Sequence, residues 1–134
     1  MHRIHTRGFA SSASLKPATT YPAVLGRVLS YLRAQKGLDQ ARLAQAAGIT
    51  QSTWSRIENG QSALTVDQLA RAATVLRIRT EQILALANQS VENLERQGIK
   101  VELKRPSEAV SKGLVLISAA ALAVLLVVIL SKSK

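Results

Sequence analysis

Apolar residues recur at helical spacing in five stretches between residues 22 and 96. Within each stretch they fall three or four positions apart, which places them on one face of a helix. Thr65 and Thr80 are placed to cap the last two helices. The pattern predicts a small all-α domain over residues 21–97, with a core of Leu, Ile, Val and Ala. The five stretches run from about Pro22 to Lys36, from Gln40 to the turn at Gly48, from Gln51 to Asn59, from about Val66 to Leu76 and from about Glu81 to Arg96.

The second and third helices are joined by a tight turn. Asp39 is placed to cap the second helix and Thr50 the third. Gly48 follows the second helix, where a residue without a Cβ takes the left-handed conformation at little steric cost. Trp54 and Ile57 are predicted to point inward. The outward side then offers hydrogen-bonding groups and one strong cation, from Gln51, Ser52, Thr53, Ser55 and Arg56.

The segment from about Leu25 to Leu84 resembles the Cro/CI-type (XRE) helix-turn-helix family of phage and bacterial regulators. The resemblance implies a five-helix lambda-repressor-like fold whose third helix reads double-stranded DNA. The residues that carry it are Gln40, Leu43, Ala44, Gly48, Thr50, Gln51, Ile57, Glu58, Asn59 and Gly60.

Base edges in the major groove carry the sequence, whereas the phosphates set much of the affinity. Gln51 can bond N6 and N7 of adenine, and the resemblance implies the same role. The planar fork of Arg56 suits O6 and N7 of guanine. Ser52 can contact a base edge or a phosphate. Phosphate or positioning contacts are predicted for Gln40, Arg42, Thr53, Ser55 and Asn59.

The resemblance also implies supporting roles. Glu58 resembles the family acid that pairs with an arginine of the first helix, here Arg33. Gln40 resembles the glutamine that binds phosphate and braces the glutamine eleven positions later, here Gln51. Trp54 stands where the family usually has Ile or Val. Its bulk must be absorbed by small neighbours, Ala44 and Ala47, or the recognition helix is displaced.

The balance of charge favours a polyanionic partner. Eighteen Lys and Arg residues against eight Asp and Glu give a formal net charge of +10. The chain has no cysteine, which excludes thiol catalysis and thiolate zinc sites. His2 and His5 lie in the N-terminal arm, where we predict no metal site. No paired carboxylates, activated nucleophile or phosphate-cradling glycine loop is present, so the sequence predicts neither an enzyme nor a cofactor.

Residues 1–20 lack apolar periodicity and contain no acid, and we predict a disordered basic arm. Three interpretations stay open: an arm that follows the DNA backbone, a mitochondrial transit peptide, or a translation start assigned too far upstream. Residues 98–112 form a predicted linker, in which the alternation of Ile99, Val101 and Leu103 is compatible with a short strand.

The fifth helix extends beyond the length that the family core requires. Four apolar residues in it lie three or four positions apart, as in the seam of a short coiled coil. The seam predicts a homodimer through this helix. The alternative is that its first half completes the core of the monomer. The four residues are Leu84, Ala87, Val91 and Leu94.

Residues 113–130 carry no charge over 18 positions. A helix of that length is about 27 Å long, close to the thickness of a bilayer core. We predict a transmembrane helix over 113–131, followed by a short tail, 132–134; a buried core helix is the alternative. More basic residues precede the span than follow it, which predicts a single-pass protein of the bacterial cell membrane with its DNA-binding domain in the cytoplasm.

Two functions are compatible with this layout. The first is a membrane-tethered, sequence-specific DNA-binding transcription regulator. The second is a membrane-anchored protein-interaction module with the same fold, as in RodZ-like proteins, because a fold does not determine a function. A protein-binding face is expected to carry exposed apolar or acidic residues, whereas the predicted face carries Gln, Ser, Thr and Arg. The operator, the direction of regulation and any sensed signal do not follow from the sequence.

Overall fold

The computed structural model describes residues 16–103 and 114–132. Within these ranges the protein is mostly helical, with six helices and three short strands. The helices are α1 (Tyr21–Gln35), α2 (Gln40–Ala47), α3 (Gln51–Glu58), α4 (Val66–Leu76), α5 (Thr80–Arg96) and α6 (Ala119–Lys132). The strands are β1 (Lys16–Thr20), β2 (Lys100–Glu102) and β3 (Leu114–Leu116).

Polar side chains set the starts of the helices. Thr20 Oγ1 accepts a hydrogen bond from Ala23 N at the start of α1. Thr65 and Gln68 form a reciprocal capping box at the start of α4. The predicted cap of the fifth helix is wrong by one residue: Thr80 is the first helical residue of α5 and Arg79 is its N-cap.

Helix α1 lies at the centre of the domain, where it packs against α3, α5 and α6. Val24, Val28 and Leu29 of α1 are fully buried and belong to one hydrophobic cluster with residues of the other five helices. Helix α2 packs against both α3 and α4. This arrangement fixes α3 between α1 and α2.

A three-stranded parallel sheet corrects the prediction of an all-α fold and of a disordered arm as far as residue 20. Strand β1 lies in the middle, paired with β2 on one side and β3 on the other. Its last three residues, Ala18, Thr19 and Thr20, are buried. Threonine is β-branched and suits a pleated, half-buried surface. The rest of the predicted arm, with His2 and His5, lies outside the described residues. Residues 104–112 of the predicted linker, 113 at the start of the predicted transmembrane helix, and 133–134 lie outside them as well.

The C-terminal segment corrects the prediction of one transmembrane helix. Strand β3 and the capping residue Ser118, whose Oγ accepts a hydrogen bond from Ala121 N, precede a helix of 14 residues. Such a helix is about 21 Å long. No helix in the described ranges is both long and apolar enough to cross a membrane. One face of α6 packs on α1 and α5, through Leu122, Leu126, Ile129 and Leu130.

The apolar seam of α5 is used within the monomer. Ala87 and Leu94 are fully buried, and Leu84 and Val91 are half-buried against the same cluster. Helix α5 contacts α1, α4, β2 and α6. The seam therefore does not offer a free face for a second copy, and its residues complete the core beyond the first half of the helix.

Candidate nucleic-acid interface

The turn between α2 and α3 has the geometry that the residues predict. Asp39 Oδ1 accepts a hydrogen bond from Arg42 N at 2.9 Å at the start of α2. Gly48 ends that helix with a φ of 75°, in the left-handed region. Thr50 Oγ1 then accepts a hydrogen bond from Thr53 N at 3.2 Å and caps α3. The two helices are thus ended and begun by local interactions.

The outer face of α3 is polar. Gln51, Ser52 and Arg56 are exposed, as is Asn59 directly after the helix, while Thr53 and Ser55 are half-buried. The Thr53 hydroxyl oxygen accepts hydrogen bonds from Thr50 Oγ1 at 2.9 Å and from Arg56 Nη2 at 3.4 Å. The guanidinium of Arg56 therefore lies over the first turn of α3, on the same side as the exposed amide and hydroxyl groups.

A buried carboxylate fixes α3 from behind. Glu58 is 2 % exposed, and each of its two oxygens accepts two hydrogen bonds. Oε2 accepts from Arg33 Nε and from Trp54 Nε1, both at 2.6 Å. Oε1 accepts from Arg33 Nη2 at 3.0 Å and from Gln40 Nε2 at 2.9 Å. The carboxylate thereby joins α1, α2 and α3 through one fully hydrogen-bonded group.

Two opposing effects act on the pKa of Glu58. Burial alone would raise it, because the charged form loses its hydration. The hydrogen bonds from Arg33, Gln40 and Trp54, together with the charge of Arg33, outweigh burial and lower the pKa below its usual value. The side chain is therefore a carboxylate at neutral pH, held by a bidentate guanidinium.

Gln40 has a different partner from the one that the resemblance implies. Its amide nitrogen bonds to Glu58, and none of its hydrogen bonds within the described ranges goes to Gln51. The position explains the difference: Gln40 is half-buried, on the inner side of α2. Arg42, two residues on, is exposed, and its side chain forms no ion pair with any described residue.

Trp54 is fully buried. The neighbouring helix presents Ala44 and Ala47, both buried, so that small residues accompany the large indole in the core. The sequence identifies the bulk of Trp54 but not its hydrogen bond to Glu58. The signal for that bond is the spacing, because residues four positions apart lie on the same side of a helix.

Gly26 and Arg27 of α1 are supporting residues that the sequence patterns do not reveal. A Cβ on Gly26 would overlap the carbonyl oxygen of Ile57, so α1 and α3 cross too closely for any side chain there. Arg27 Nη1 donates to the carbonyl oxygen of Glu58 at 3.1 Å, in the last turn of α3. An isolated glycine within a helical pattern is a signal of such close packing.

Residues 24–86 match a family model described as a helix-turn-helix domain. The chain is also similar to the crystal structure of the clp gene regulator ClgR from Corynebacterium glutamicum, with a TM-score of 0.55 and 26% identity over 57% of this chain and 82% of that chain. No curated protein matches the chain. The Cro/CI type stays a prediction. The chain contains a helix-turn-helix domain, and these findings support a DNA-binding regulator rather than an enzyme.

Proposed function

We propose that the protein is a sequence-specific transcription regulator that inserts α3 into the major groove of double-stranded DNA. The observation that carries this proposal is the exposed polar face of a rigidly held helix. Gln51 and Arg56 are the base-reading residues, directed to adenine and guanine, and Ser52 assists them. Arg42, Thr53, Ser55 and Asn59 contact phosphates, and Gln40 positions the recognition helix and the adjoining backbone.

The composition of this face favours DNA over a protein partner. The exposed residues of α3 and its exit are Gln51, Ser52, Arg56 and Asn59, and none of them is apolar or acidic. The hydrophobic residues of the helix, Trp54 and Ile57, are buried. A protein-docking face usually centres on exposed aromatic or aliphatic residues. An interaction module that uses this helix is therefore the weaker proposal.

We also propose that two copies bind two half-sites. A recognition helix of eight residues reads only a few base pairs, and regulators of this kind obtain specificity from half-sites one helical turn apart. The protein then selects a palindrome from a random pool of duplexes. Selection of a single half-site would contradict this part of the proposal and leave the reading of bases intact.

The test is selection of a randomised duplex pool with the full chain, followed by affinity measurements across salt concentrations. Replacement of Gln51 and Arg56 by Ala is expected to remove the selected motif and to weaken specific binding by about 10- to 100-fold per base contact. The matched control replaces Gln89 and Arg96 on α5, which changes composition and charge equally away from α3.

Binding without a motif would contradict the proposal. In that case affinity falls steeply with salt for both double variants, because released counterions supply nearly all of the free energy of non-specific binding. A wild-type motif that survives in the Gln51/Arg56 variant would likewise exclude α3 as the reading element.

A further inference from the structure

A small cavity lies where the C-terminal segment meets the end of the recognition helix. Its volume is about 150 Å³, enough for a molecule of about six non-hydrogen atoms. One wall comes from β3 and α6, the opposite wall from α1 and the residues that follow α3, and the end of β1 closes it. These walls include Thr19, Thr20, Arg27, Asn59, Leu116 and Leu122.

Arg27 is the charged residue in the lining of this cavity, and it also lines a second cavity together with Ser30 and Leu126. Its Nη1 donates to the Glu58 carbonyl oxygen and its Nη2 to Ser30 Oγ. Its Nε is buried and has no hydrogen-bond partner among the described residues. Arg27 also forms no ion pair with a described carboxylate, and the carboxylate of Glu58 accepts its hydrogen bonds from other side chains. A half-buried guanidinium without an anion is incompletely compensated.

Burial lowers the pKa of Arg27, as expected for a cation without a neighbouring anion. Desolvation lowers the pKa, and although the charge of Glu58 raises it, that of Arg33 lowers it again, so the net direction is downward. An anion beside the guanidinium would reverse this balance. The planar fork of arginine matches a carboxylate in particular.

The other walls define the rest of a ligand. Thr19 and Thr20, both buried at the end of β1, contribute two hydroxyl-bearing side chains to the lining. Leu116 and Leu122 form an apolar wall from β3 and α6. An inorganic anion matches only the polar half of this lining, whereas a carboxylate with a short alkyl chain matches both halves.

We propose that this cavity binds a short-chain aliphatic monocarboxylate, with its carboxylate at Arg27 and its alkyl chain against Leu116 and Leu122. We further propose that occupancy strengthens DNA binding, and this second part rests on the proposed function. Asn59 and Gly60 follow α3 directly and also line the cavity. A ligand therefore contacts α6 and the exit of the recognition helix at once, and it stabilises their present arrangement.

The first test is thermal unfolding of the full chain with butanoate, which has six non-hydrogen atoms. Butanamide is the neutral probe of the same shape, and sodium chloride at the same concentration controls for ionic strength. Butanoate at about ten times its Kd is expected to raise the unfolding midpoint by roughly 5 °C, saturably. Equal effects of butanoate and butanamide, or none from either, would overturn the proposal.

Two cavity variants give the location of binding. Ala119→Leu adds volume at a residue that lines the cavity, while Ala120→Leu makes the same change at the next, exposed residue of α6. The butanoate shift is expected to vanish in the first and persist in the second. Arg27→Gln is also expected to abolish the shift. A shift that survives in both Ala119→Leu and Arg27→Gln would place the binding elsewhere and overturn the assignment.

The second test measures DNA affinity with and without butanoate. Occupancy is expected to tighten binding of the wild type about five-fold or more, a common size of coupling between two sites. The Ala119→Leu variant is expected to show no change. A butanoate shift in unfolding without any change in DNA affinity would overturn the regulatory part alone. Failure to bind specific DNA under all conditions would overturn the proposed function, while the unfolding test still decides the carboxylate site.

Discussion

Helices α3 and α6 both pack on α1 through apolar side chains, but α3 is held by directional interactions as well. Helix α3 is fixed by a buried carboxylate with four hydrogen bonds and by the close crossing at Gly26. Helix α6 is held by leucine and isoleucine side chains, and its outer valines are exposed. Hydrogen bonds are directional, whereas the burial of apolar area is not. The orientation of α3 is therefore specified more narrowly than that of α6.

This difference fits the function proposed for α3. A recognition helix must hold its amide and guanidinium groups within hydrogen-bonding geometry of base edges, so a small displacement costs specificity. Helix α6 covers parts of α1 and α5 and lines the cavity beside Arg27. Non-directional packing is sufficient for such a contact.

The largest expected effect is loss of the Glu58 charge. Glu58→Gln leaves the Arg33 guanidinium, whose side chain is 18% exposed, without its carboxylate. Breaking a buried pair in this way is expected to lower the free energy of unfolding by about 3–5 kcal/mol. Urea denaturation measures this change. Glu92→Gln is the control, since its pair with Arg96 is exposed and is worth about 1 kcal/mol or less. Equal losses of unfolding free energy in the two variants would mean that the hydrogen bonds to Glu58 do not hold α3.

The packing of α6 is the next test, through two neighbouring residues. Leu126 is 1% exposed and Val127 is 49% exposed. Leu126→Ala is expected to cost about 2–5 kcal/mol because it leaves a cavity. Val127→Ala is expected to change stability by only about 0.5 kcal/mol. Equal small effects in urea denaturation would show that α6 does not pack on the domain, and would remove the contrast between the two helices.

Local polar residues explain why the sequence predicts one region better than the other. Asp39, Thr50 and Thr65 stand at helix starts and Gly48 at a helix end, so the positions of α2, α3 and α4 follow from local chemistry. An uncharged run such as 113–130 contains almost no such markers, and its periodicity does not distinguish a packed helix from a spanning one. The sheet is harder still, because the partners of β1 lie far along the chain.

The candidate interface likewise has features that the sequence predicts and features that it does not. The outward position of Gln51 and Arg56 follows from helical periodicity, and the pair of Glu58 with Arg33 follows from the resemblance. The bonds that Gln40 and Trp54 make to Glu58 depend on how three helices meet, which periodicity within each helix does not determine. The base-reading roles of Gln51 and Arg56, and the phosphate contacts of their neighbours, stay predictions until DNA binding is measured.

Acid should affect the α3 network in a defined direction. The pKa of Glu58 is lowered in the folded protein, so its stabilisation is fully present above the unfolded value of about 4.3 and is lost as pH falls through the folded value. Each unit of pKa difference corresponds to about 1.4 kcal/mol. Unfolding free energies of the wild type and Glu58→Gln are therefore expected to converge as pH falls below about 4. A constant difference between them down to pH 2 would contradict a lowered pKa.

The smallest expected effect concerns Arg77, which ends α4 at a position where glycine is the usual residue. Arg77 ends α4 with a φ of 58°, the only non-glycine residue with positive φ in the described part of the chain. Left-handed backbone costs a residue with a Cβ roughly 1 kcal/mol, while glycine adopts it freely. Arg77→Gly is therefore expected to stabilise the protein by about 0.5 kcal/mol, since greater freedom of the unfolded chain offsets part of the gain.

Arg71→Gly, within the helix that Arg77 ends and with the same change of charge, provides the matched control. Arg71 lies inside α4, where glycine is less favourable than ordinary residues, and its pair with Asp67 is exposed and contributes little. This variant is therefore expected to lose about 1 kcal/mol in urea denaturation. Opposite signs at the two positions would show that backbone conformation, and not the loss of a positive charge, decides the outcome. If Arg77→Gly also destabilised the protein, the Arg77 side chain itself would be stabilising the domain. Its contacts would then compensate for the cost of the left-handed backbone.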